Sequence, residues 1–282
     1  MEVYLNGEFM PYESAAVPVE DRGFTFADGI YEVVRLVGGR GLHLDAHLDR
    51  LTAGARALEI ELPLSRGQLR STLLETAQRN GVDDGTAYLQ VTRGVAPRQH
   101  AFPEAARPTV VVITRPFGGI PEEMWRKGVT AVTAPDDRWG LCEEKTIGLL
   151  PNILAYERAR RAGAYEAIYV RSGLVTEGTR SSVFVVLQGV VHTHPVDNIL
   201  PGVTRARLIH LLRARGVEVR ELAASVGQLR EADEIFLTGT TSEALAVVGV
   251  DGQAIDEGSP GPIARLALQL YRQDLEELRA AG

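Results

Sequence analysis

The chain has 282 residues and a formal net charge of −7, with 45% hydrophobic and 24% charged residues, as in a globular protein of one or two domains. The acidic balance, without a basic stretch or tail, argues against nucleic acid or an anionic membrane as a partner. No apolar run of about 18 residues and no charged-then-apolar N-terminus is present, which predicts neither a membrane span nor a secretory signal. The lone Cys142 cannot form an internal disulfide, so we expect a cytoplasmic location.

Short strands, turns and two helices are predicted in the first half of the chain. Asn6-Gly7 and the glycine-rich run 38–41 are hairpin signals. Apolar residues at helical spacing predict a helix over 44–58, and Ser65 caps a second helix over 65–80. The strands predicted around these elements are 2–5, 8–11, 30–37, 42–44, 87–92 and 109–114. This pattern is typical of an α+β unit with a mostly antiparallel sheet.

A Gly/Pro-rich segment at 116–123 separates this half from a larger one. The second half is predicted to contain helices at 151–162, 203–215 and 261–279, and strands at 129–134, 165–170, 182–187, 190–194, 217–221, 234–238 and 244–250. The sequence therefore predicts an α+β protein with a smaller N-terminal domain (1–117), a linker (118–123) and a larger C-terminal domain (124–282).

Only two residues can serve as an amine nucleophile, because the chain has two lysines against 28 arginines. Arginine does not lose its proton, whereas lysine can form a Schiff base. Lys145 precedes the uncharged, mostly apolar run 146–151, and desolvation there favours the neutral amine. The alternative is a surface lysine paired with Glu143 or Glu144. Lys127 is predicted to lie at a solvated helix end.

Two segments after Lys145 could hold a phosphate. The turn at 200–205 runs into a helix, whose N–H groups can bind an anion together with the Thr204 hydroxyl. The Thr/Ser loop at 238–243 follows a strand and offers hydroxyls and backbone amides. Each turn is common without a ligand, so it is their occurrence together with a special lysine that favours a phosphorylated cofactor.

Three further polar residues suit cofactor and substrate binding. Glu177 is predicted to lie at the end of one strand and shortly before another, where a carboxylate could keep the ring nitrogen of pyridoxal phosphate protonated; an ordinary hairpin-loop acid is the alternative. Arg98 and His100 have the i, i+2 spacing that turns side chains of an extended chain the same way, which suits a carboxylate. A solvated polar loop is the alternative for this pair.

Other signatures are missing from the sequence. It has no dinucleotide fingerprint, no P-loop and no serine elbow. His43 and His47 have i, i+4 spacing, but no third ligand accompanies them, so no metal site is predicted.

Eight segments in a fixed order give the chain an end-to-end resemblance to the fold-type IV pyridoxal-phosphate enzymes, most closely the bacterial D-amino acid transaminases. These segments are 20–24, 28–34, 47–51, the loop 92–103, the Lys145 segment, 175–178, 202–205 and 240–243. The resemblance implies a two-domain fold-type IV structure that uses pyridoxal 5'-phosphate. It also implies a transaminase that moves the amino group from a D-amino acid, such as D-alanine or D-glutamate, to a 2-oxo acid such as 2-oxoglutarate by a ping-pong Schiff-base mechanism.

The resemblance also implies a role for each matching residue. Lys145 would form the Schiff base and shuttle the substrate proton, Glu177 would pair with the pyridine nitrogen, and Leu200 would pack on the ring. The phosphate would be held by Arg50, Val203, Thr204, Thr240 and Thr241. Tyr31, Arg98 and His100 would bind the substrate α-carboxylate. In the D-specific branch the Arg and His come from the partner subunit, which implies a homodimer with a shared active site.

The chain departs from this branch just after Glu177. The branch usually reads Glu-Gly-Ser-Ser-Ser-Asn, whereas this chain reads Glu-Gly-Thr-Arg-Ser-Ser over 177–182, and Thr146 replaces the commoner Ser. Arg180 could therefore add a second carboxylate contact for the substrate or simply point outward. Three other functions remain open: a branched-chain L-amino acid transaminase, an aminodeoxychorismate lyase of the same fold, and a binding protein whose phosphate-like loops are ordinary turns.

Overall fold

The structure is a computed structural model that describes residues 1–105 and 107–280. The chain forms two compact units: Met1–Gly118 with Glu144–Gly148 and the residues from Glu277 onward, and Gly119–Glu143 with Leu149–Glu276. Both units combine helices with a sheet, which confirms the predicted α+β class. None of the described helices combines the length and the apolar character needed to cross a membrane.

The first unit is built on a six-stranded antiparallel sheet with the order β2-β1-β6-β5-β3-β4. Its strands are β1 (Glu2–Leu5), β2 (Glu8–Pro11), β3 (Gly29–Val37), β4 (Arg40–Gly41), β5 (Gly85–Thr92) and β6 (Thr109–Pro116). Its helices are α1 (Arg22–Phe26), α2 (Leu44–Ala57) and α3 (Arg66–Arg79), with a 3₁₀ turn at Tyr12–Ser14. Leu48 of α2, Leu73 of α3 and Leu89 of β5 are fully buried in one core. The predicted Ser65 cap is confirmed, because Ser65 and Gln68 form a reciprocal capping box.

The strand predicted at 42–44 is wrong. Gly38 and Gly39 make the turn at φ 54° and 72°, so the return strand β4 is already complete at Gly41. Leu44 instead begins α2 and is buried there. Its apolar side chain belongs to the helical face that packs on the core, so of the two overlapping predictions at residue 44 the helix over 44–58 is the correct one.

The second unit is built on a nine-stranded mixed sheet. Eight strands follow the order β12-β11-β10-β13-β14-β7-β8-β9, and β15 pairs with β14. The strands are β7 (Val129–Pro135), β8 (Glu166–Arg171), β9 (Leu174–Gly178), β10 (Ser182–Leu187), β11 (Val190–Thr193), β12 (Val219–Glu221), β13 (Glu234–Gly239), β14 (Glu243–Val250) and β15 (Gln253–Ala254). The helices that begin in this unit are α4 (Glu122–Lys127), α5 (Leu150–Arg161), α6 (Val203–Ala214), α7 (Val226–Arg230) and α8 (Pro262–Ala280).

Two details bear on the lysines. Lys127 is the last residue of α4, and its 60% exposed side chain lies 2.6 Å from Glu123, which confirms the predicted solvated helix end. Glu144–Gly148, which the sequence prediction placed in the second domain, groups with the first unit because its backbone pairs with β3.

Candidate active site

Lys145 lies against the first residues of β3. Its carbonyl accepts a 3.0 Å hydrogen bond from the Tyr31 N–H, and the Ile147 N–H donates to the Gly29 carbonyl at 3.0 Å. A Cβ on Gly29 would lie 2.7 Å from the Val91 carbonyl oxygen and 3.0 Å from Ile147, so a side chain would collide with the neighbours of β3 on both sides. This pairing places Lys145 Nζ 4.2 Å from the centre of the Tyr31 ring. The structure thus brings together two of the predicted site residues.

Arg50 is held by a buried acid to which the sequence analysis gave no role. Arg50 donates from Nε and Nη2 to the two oxygens of Glu32 at 2.7 and 2.8 Å, and His47 Nδ1 lies 2.7 Å from Glu32 Oε2. Burial raises the pKa of Glu32, but hydrogen bonds from Arg50 and His47 outweigh it and hold the pKa at about 2. The carboxylate therefore stays ionised and fixes the orientation of the Arg50 guanidinium.

A sequence signal for this cluster existed. Alternate residues of β3 face the core, so Glu32 is an acid at a core position. His47 and Arg50 share one face of α2 at i, i+3 spacing. A charged residue at a core position opposite such a pair indicates a buried ion cluster, because an unpaired buried carboxylate is too costly.

Arg98 and His100 lie on an exposed loop and share a contact with Phe26 of α1. The Arg98 guanidinium lies 4.9 Å from the centre of the Phe26 ring, and the His100 and Phe26 rings are 5.6 Å apart. Within the described residues, neither side chain hydrogen-bonds to Tyr31 or stacks on it. The structure thus brings Arg98 and His100 together but not onto the Lys145–Tyr31 pair of the same chain.

Glu177 lies near the end of β9 and is buried. Arg138 Nη1 donates to Glu177 Oε1 at 2.6 Å, and the Leu200 N–H donates to both carboxylate oxygens at 3.2 and 3.3 Å. Asp136 fixes Arg138 through contacts of 2.8 and 2.9 Å. Burial raises the pKa of Glu177, and Arg138 and the Leu200 N–H oppose that rise by stabilising the carboxylate.

Sequence reasoning missed Arg138 and Asp136. The usable signal is the charged run Asp136-Asp137-Arg138, which directly follows strand β7. Its proximity to Glu177 is created by the pairing of β7 with β8 and of β8 with β9, which no local pattern shows.

The second unit brings the two predicted phosphate loops together. Gly202 precedes α6 and approaches β10 so closely that a Cβ on it would lie 2.7 Å from Ser182 Oγ. Ser182 pairs with Thr238 of β13, two residues before Thr240. The start of α6 and the loop between β13 and β14 therefore meet beside β10.

The hydrogen-bond donors of these loops fit a phosphate group. Val203 and Thr204 begin α6, a 12-residue helix without a side-chain cap at its N-terminus. Thr240 and Thr241 are half-buried in the turn between β13 and β14. The buried Thr238 hydroxyl has no hydrogen-bond partner in the part of the chain that is described. Helix N–H groups and hydroxyls of this kind bind phosphate, so the residues present suit pyridoxal 5'-phosphate.

Arg180 lies on the turn after Glu177 and faces another buried acid, Glu166. Its Nε is 3.9 Å from Glu166 Oε2, and its guanidinium lies 4.5 Å from the centre of the Tyr156 ring and 5.1 Å from that of Tyr165. Half of the side chain is exposed, with a value of 50%. A contact between Arg180 and a second substrate carboxylate stays a prediction.

Fold and site residues together define the class of protein. The family model described as amino-transferase class IV matches residues 29–250. The chain belongs to this family, and it is an aminotransferase that uses pyridoxal 5'-phosphate. The fold-type IV resemblance and the predicted cofactor are thereby confirmed.

Known relatives and solved structures show which aminotransferases the chain is similar to. The chain is 43% identical to a D-alanine aminotransferase of Bacillus licheniformis, over 94% of each chain. It is 40% identical to a D-alanine aminotransferase of Listeria monocytogenes, over 100% of this chain and 98% of the relative. Among solved structures, the branched-chain aminotransferase of Thermoproteus uzoniensis with norvaline has a TM-score of 0.89 at 27% identity, covering 98% of this chain and 95% of that chain.

Proposed function

We propose that the protein transfers the amino group of a D-amino acid, with D-alanine as the first candidate and D-glutamate as the second, to a 2-oxo acid such as 2-oxoglutarate. The observation that carries the proposal is the near full-length similarity to D-alanine aminotransferases of up to 43% identity. The exposed pair of Arg98 and His100 supports it, because two convergent donors suit the carboxylate of an amino acid.

The cofactor supplies an electron sink when bound, and residues of this chain hold it and move protons around it. Lys145 would hold it through Nζ, and the same amine would move the proton of the substrate α-carbon. Glu177 would stabilise a protonated ring nitrogen, and Leu200, whose N–H donates to Glu177, would pack on the ring. The residues that would hold the phosphate, as in the family, are Arg50, Val203, Thr204, Thr240 and Thr241.

The substrate carboxylate is bound by Tyr31 together with Arg98 and His100 of a partner subunit, in a homodimer. This arrangement is supported by the exposure of the loop that carries the pair and by two large apolar side chains around it. Phe24 is 78% and Phe102 is 55% exposed in the single chain. An apolar surface of this kind favours association with a second copy. The free, buried Cys142 is compatible with a reducing cytoplasm.

A panel of amino donors with 2-oxoglutarate as acceptor tests the substrate class. We expect the wild-type enzyme to turn over D-alanine and D-glutamate and to leave L-leucine unreacted. Preference for L-leucine would instead indicate a branched-chain L-amino acid transaminase, the kind of enzyme named for the structural neighbour with a TM-score of 0.89.

The Arg98→Ala variant tests the carboxylate contact. We expect the KM for D-alanine to rise by about tenfold or more, because a charge-assisted hydrogen bond is lost, while the bound cofactor keeps its absorbance. Arg115→Ala is the matched control, since Arg115 is also exposed and also lies over an aromatic ring, that of Tyr12. Equal KM values for Arg98→Ala and wild type would contradict the assignment.

A further inference from the structure

The 94–102 loop carries the two predicted carboxylate ligands, and a buried arginine holds its far end. Arg22 is only 4% exposed. Its Nη1 donates to the carbonyl oxygen of Gln99 at 2.6 Å and to that of Ala101 at 3.4 Å. These two residues flank His100. A single guanidinium therefore fixes the backbone on both sides of His100.

Arg22 is itself anchored in the body of the unit through Asp28. Arg22 Nε donates to Asp28 Oδ2 at 2.7 Å, and Arg93 donates to both Asp28 oxygens at 2.8 and 3.1 Å. Arg93 also donates to the carbonyls of Leu58 and Glu59 at 2.7 Å each. Burial raises the pKa of Asp28, but hydrogen bonds from Arg93 and Arg22 outweigh it and lower the pKa. We call these three side chains the Arg22–Asp28–Arg93 cluster.

The same cluster orders the aromatic side chains of the loop region. The Arg22 guanidinium lies 4.9 Å from the centre of the Phe26 ring, the ring that Arg98 and His100 contact. Arg93 lies 3.6 Å from the centre of the Phe102 ring at the end of the loop. Cation–π contacts of this kind favour one arrangement of the loop over others.

Among the described residues, the backbone hydrogen bonds of this loop lie at its near end. The Arg22 N–H donates to the Gly94 carbonyl at 2.9 Å, and the Ala96 N–H donates to the Glu20 carbonyl at 3.3 Å. Beyond Ala96, the loop is held by side chains of the Arg22–Asp28–Arg93 cluster and by Phe26. Losing one of these side chains would therefore leave the entry of the loop in place and release the part that carries Arg98 and His100.

We infer that Arg22 is a positioning residue for substrate carboxylate binding: it fixes the backbone around His100 and the Phe26 ring so that Arg98 and His100 present one preformed pair of donors. The inference rests on the proposed function, in which these two residues bind the α-carboxylate. Arg22 does not touch the substrate; it acts by holding the donors in place, which preserves binding energy that a mobile loop would spend on ordering.

The test compares two amines in the first half-reaction of the holoenzyme, followed through the cofactor absorbance. D-alanine has a carboxylate, and ethylamine is the same molecule without it. For Arg22→Met we expect the D-alanine concentration at half-maximal rate to rise by about tenfold. The ethylamine rate should stay within about twofold of wild type, because ethylamine does not use Arg98 or His100.

Two further variants separate positioning from general damage. Arg35→Met is the matched control, because Arg35 also donates to a loop carbonyl and stacks on an aromatic ring, both of Phe117. Its D-alanine and ethylamine kinetics should match wild type. In Arg22→Lys the charge beside Asp28 is kept but the two-carbonyl fork is lost, so the half-maximal concentration for D-alanine should rise by about threefold. If Arg22→Met fails to fold, Arg22→Lys decides the question alone.

Unchanged D-alanine kinetics in the folded Arg22 variants would overturn the inference, and so would an equal loss with D-alanine and ethylamine. The Arg98→Ala variant distinguishes this failure from failure of the proposed function. If Arg98→Ala weakens D-alanine binding and the Arg22 variants do not, only the positioning role is wrong. If Arg98→Ala has no effect, the carboxylate contact itself is wrong. With both correct, the effect of Arg22→Met shrinks in an Arg98→Ala background, because one of the two positioned donors is gone.

Discussion

Each unit of the molecule buries a glutamate against an arginine, yet the two acids respond in opposite ways. In the first unit, Glu32 accepts a bidentate pair from Arg50 and a third bond from His47, and its pKa falls to about 2. In the second unit, Glu177 accepts one bond from Arg138 and a longer one from a backbone N–H, and its pKa is raised.

The difference lies in how fully each carboxylate is satisfied. Arg50 and His47 together direct three hydrogen bonds at the two oxygens of Glu32, and these outweigh the effect of burial on its pKa. Arg138 is shared with Asp136, so Glu177 receives only part of its charge. A carboxylate with this many donors fixes its neighbours, here the guanidinium of Arg50. The Glu177 carboxylate has fewer strong donors, so a further donor would stabilise its ionised form. A protonated ring nitrogen is such a donor.

The largest expected effect on activity is that of changing Glu177, the acid with fewer strong donors. Glu177→Gln keeps the size of the side chain but cannot stabilise a positive ring nitrogen. We expect kcat for D-alanine to fall by about 100-fold or more, with the protein still folded. Steady-state kinetics at saturating cofactor measure it. A fall in kcat of less than about threefold would show that Glu177 has no part in the reaction.

Changing Glu32 should affect the stability of the fold more than the catalytic rate. Glu32→Gln removes the buried carboxylate that accepts hydrogen bonds from Arg50 and His47, and we expect a loss of about 3 kcal/mol in the free energy of unfolding and weaker cofactor binding. Urea unfolding and cofactor titration measure the two effects. The exposed Glu61→Gln, in the same unit, is the matched control and should behave as wild type. A stable Glu32→Gln variant that binds the cofactor normally would show that Glu32 does not have the structural role that distinguishes it from Glu177.

The two acids should also give pH slopes of opposite sign. The lowered pKa of Glu32 means that its contribution to stability is present above its ordinary value of 4.5 and is lost as the pH falls from 4.5 toward about 2. The raised pKa of Glu177 means that stability is lost as the pH rises above 4.5 through the folded-state value. In Glu32→Gln, the free energy of unfolding should therefore depend less on pH between about 2 and 4.5. In Glu177→Gln, it should depend less on pH above 4.5. The same sign of change in both variants would contradict the comparison.

A smaller effect is expected from changing Arg180, which faces another buried acid, Glu166. If Arg180 supplies a second carboxylate contact, Arg180→Ser should lower kcat/KM for D-glutamate by about threefold to tenfold and leave D-alanine unchanged. Competing the two donors against each other measures the ratio directly. An equal change in kcat/KM with both amino donors would show that Arg180 contacts only Glu166 and not the substrate.

No effect on activity is expected at the exposed pair of Lys127 and Glu123. Lys127→Gln should keep wild-type kinetics, and borohydride reduction of the holoenzyme should label only the peptide that contains Lys145. Because the chain has two lysines, peptide mapping gives a binary answer. Labelling at Lys127 would overturn the assignment of the reactive amine.

The sequence predicted most of this molecule where its signals were local. Hairpin turns, the Ser65 cap and the long helices follow from neighbouring residues, and all are present. The family and the cofactor follow from motifs in a fixed order. The short helices α1 and α7 were not predicted, since five residues carry too little periodicity to be recognised.

What the sequence by itself determined was the set of chemical groups available: two lysines, one of which precedes an apolar run, two turns whose donors suit a phosphate, an acid suited to a ring nitrogen, and two side chains suited to a carboxylate. What only the tertiary structure decided was the environment of each group. Glu32 meets Arg50 and His47, Arg138 meets Glu177, and Arg22 reaches the carbonyls around His100, all across long stretches of chain. Such contacts arise when strands pair and helices pack, and the charge, burial and orientation that set reactivity depend on those neighbours rather than on residues adjacent in the chain.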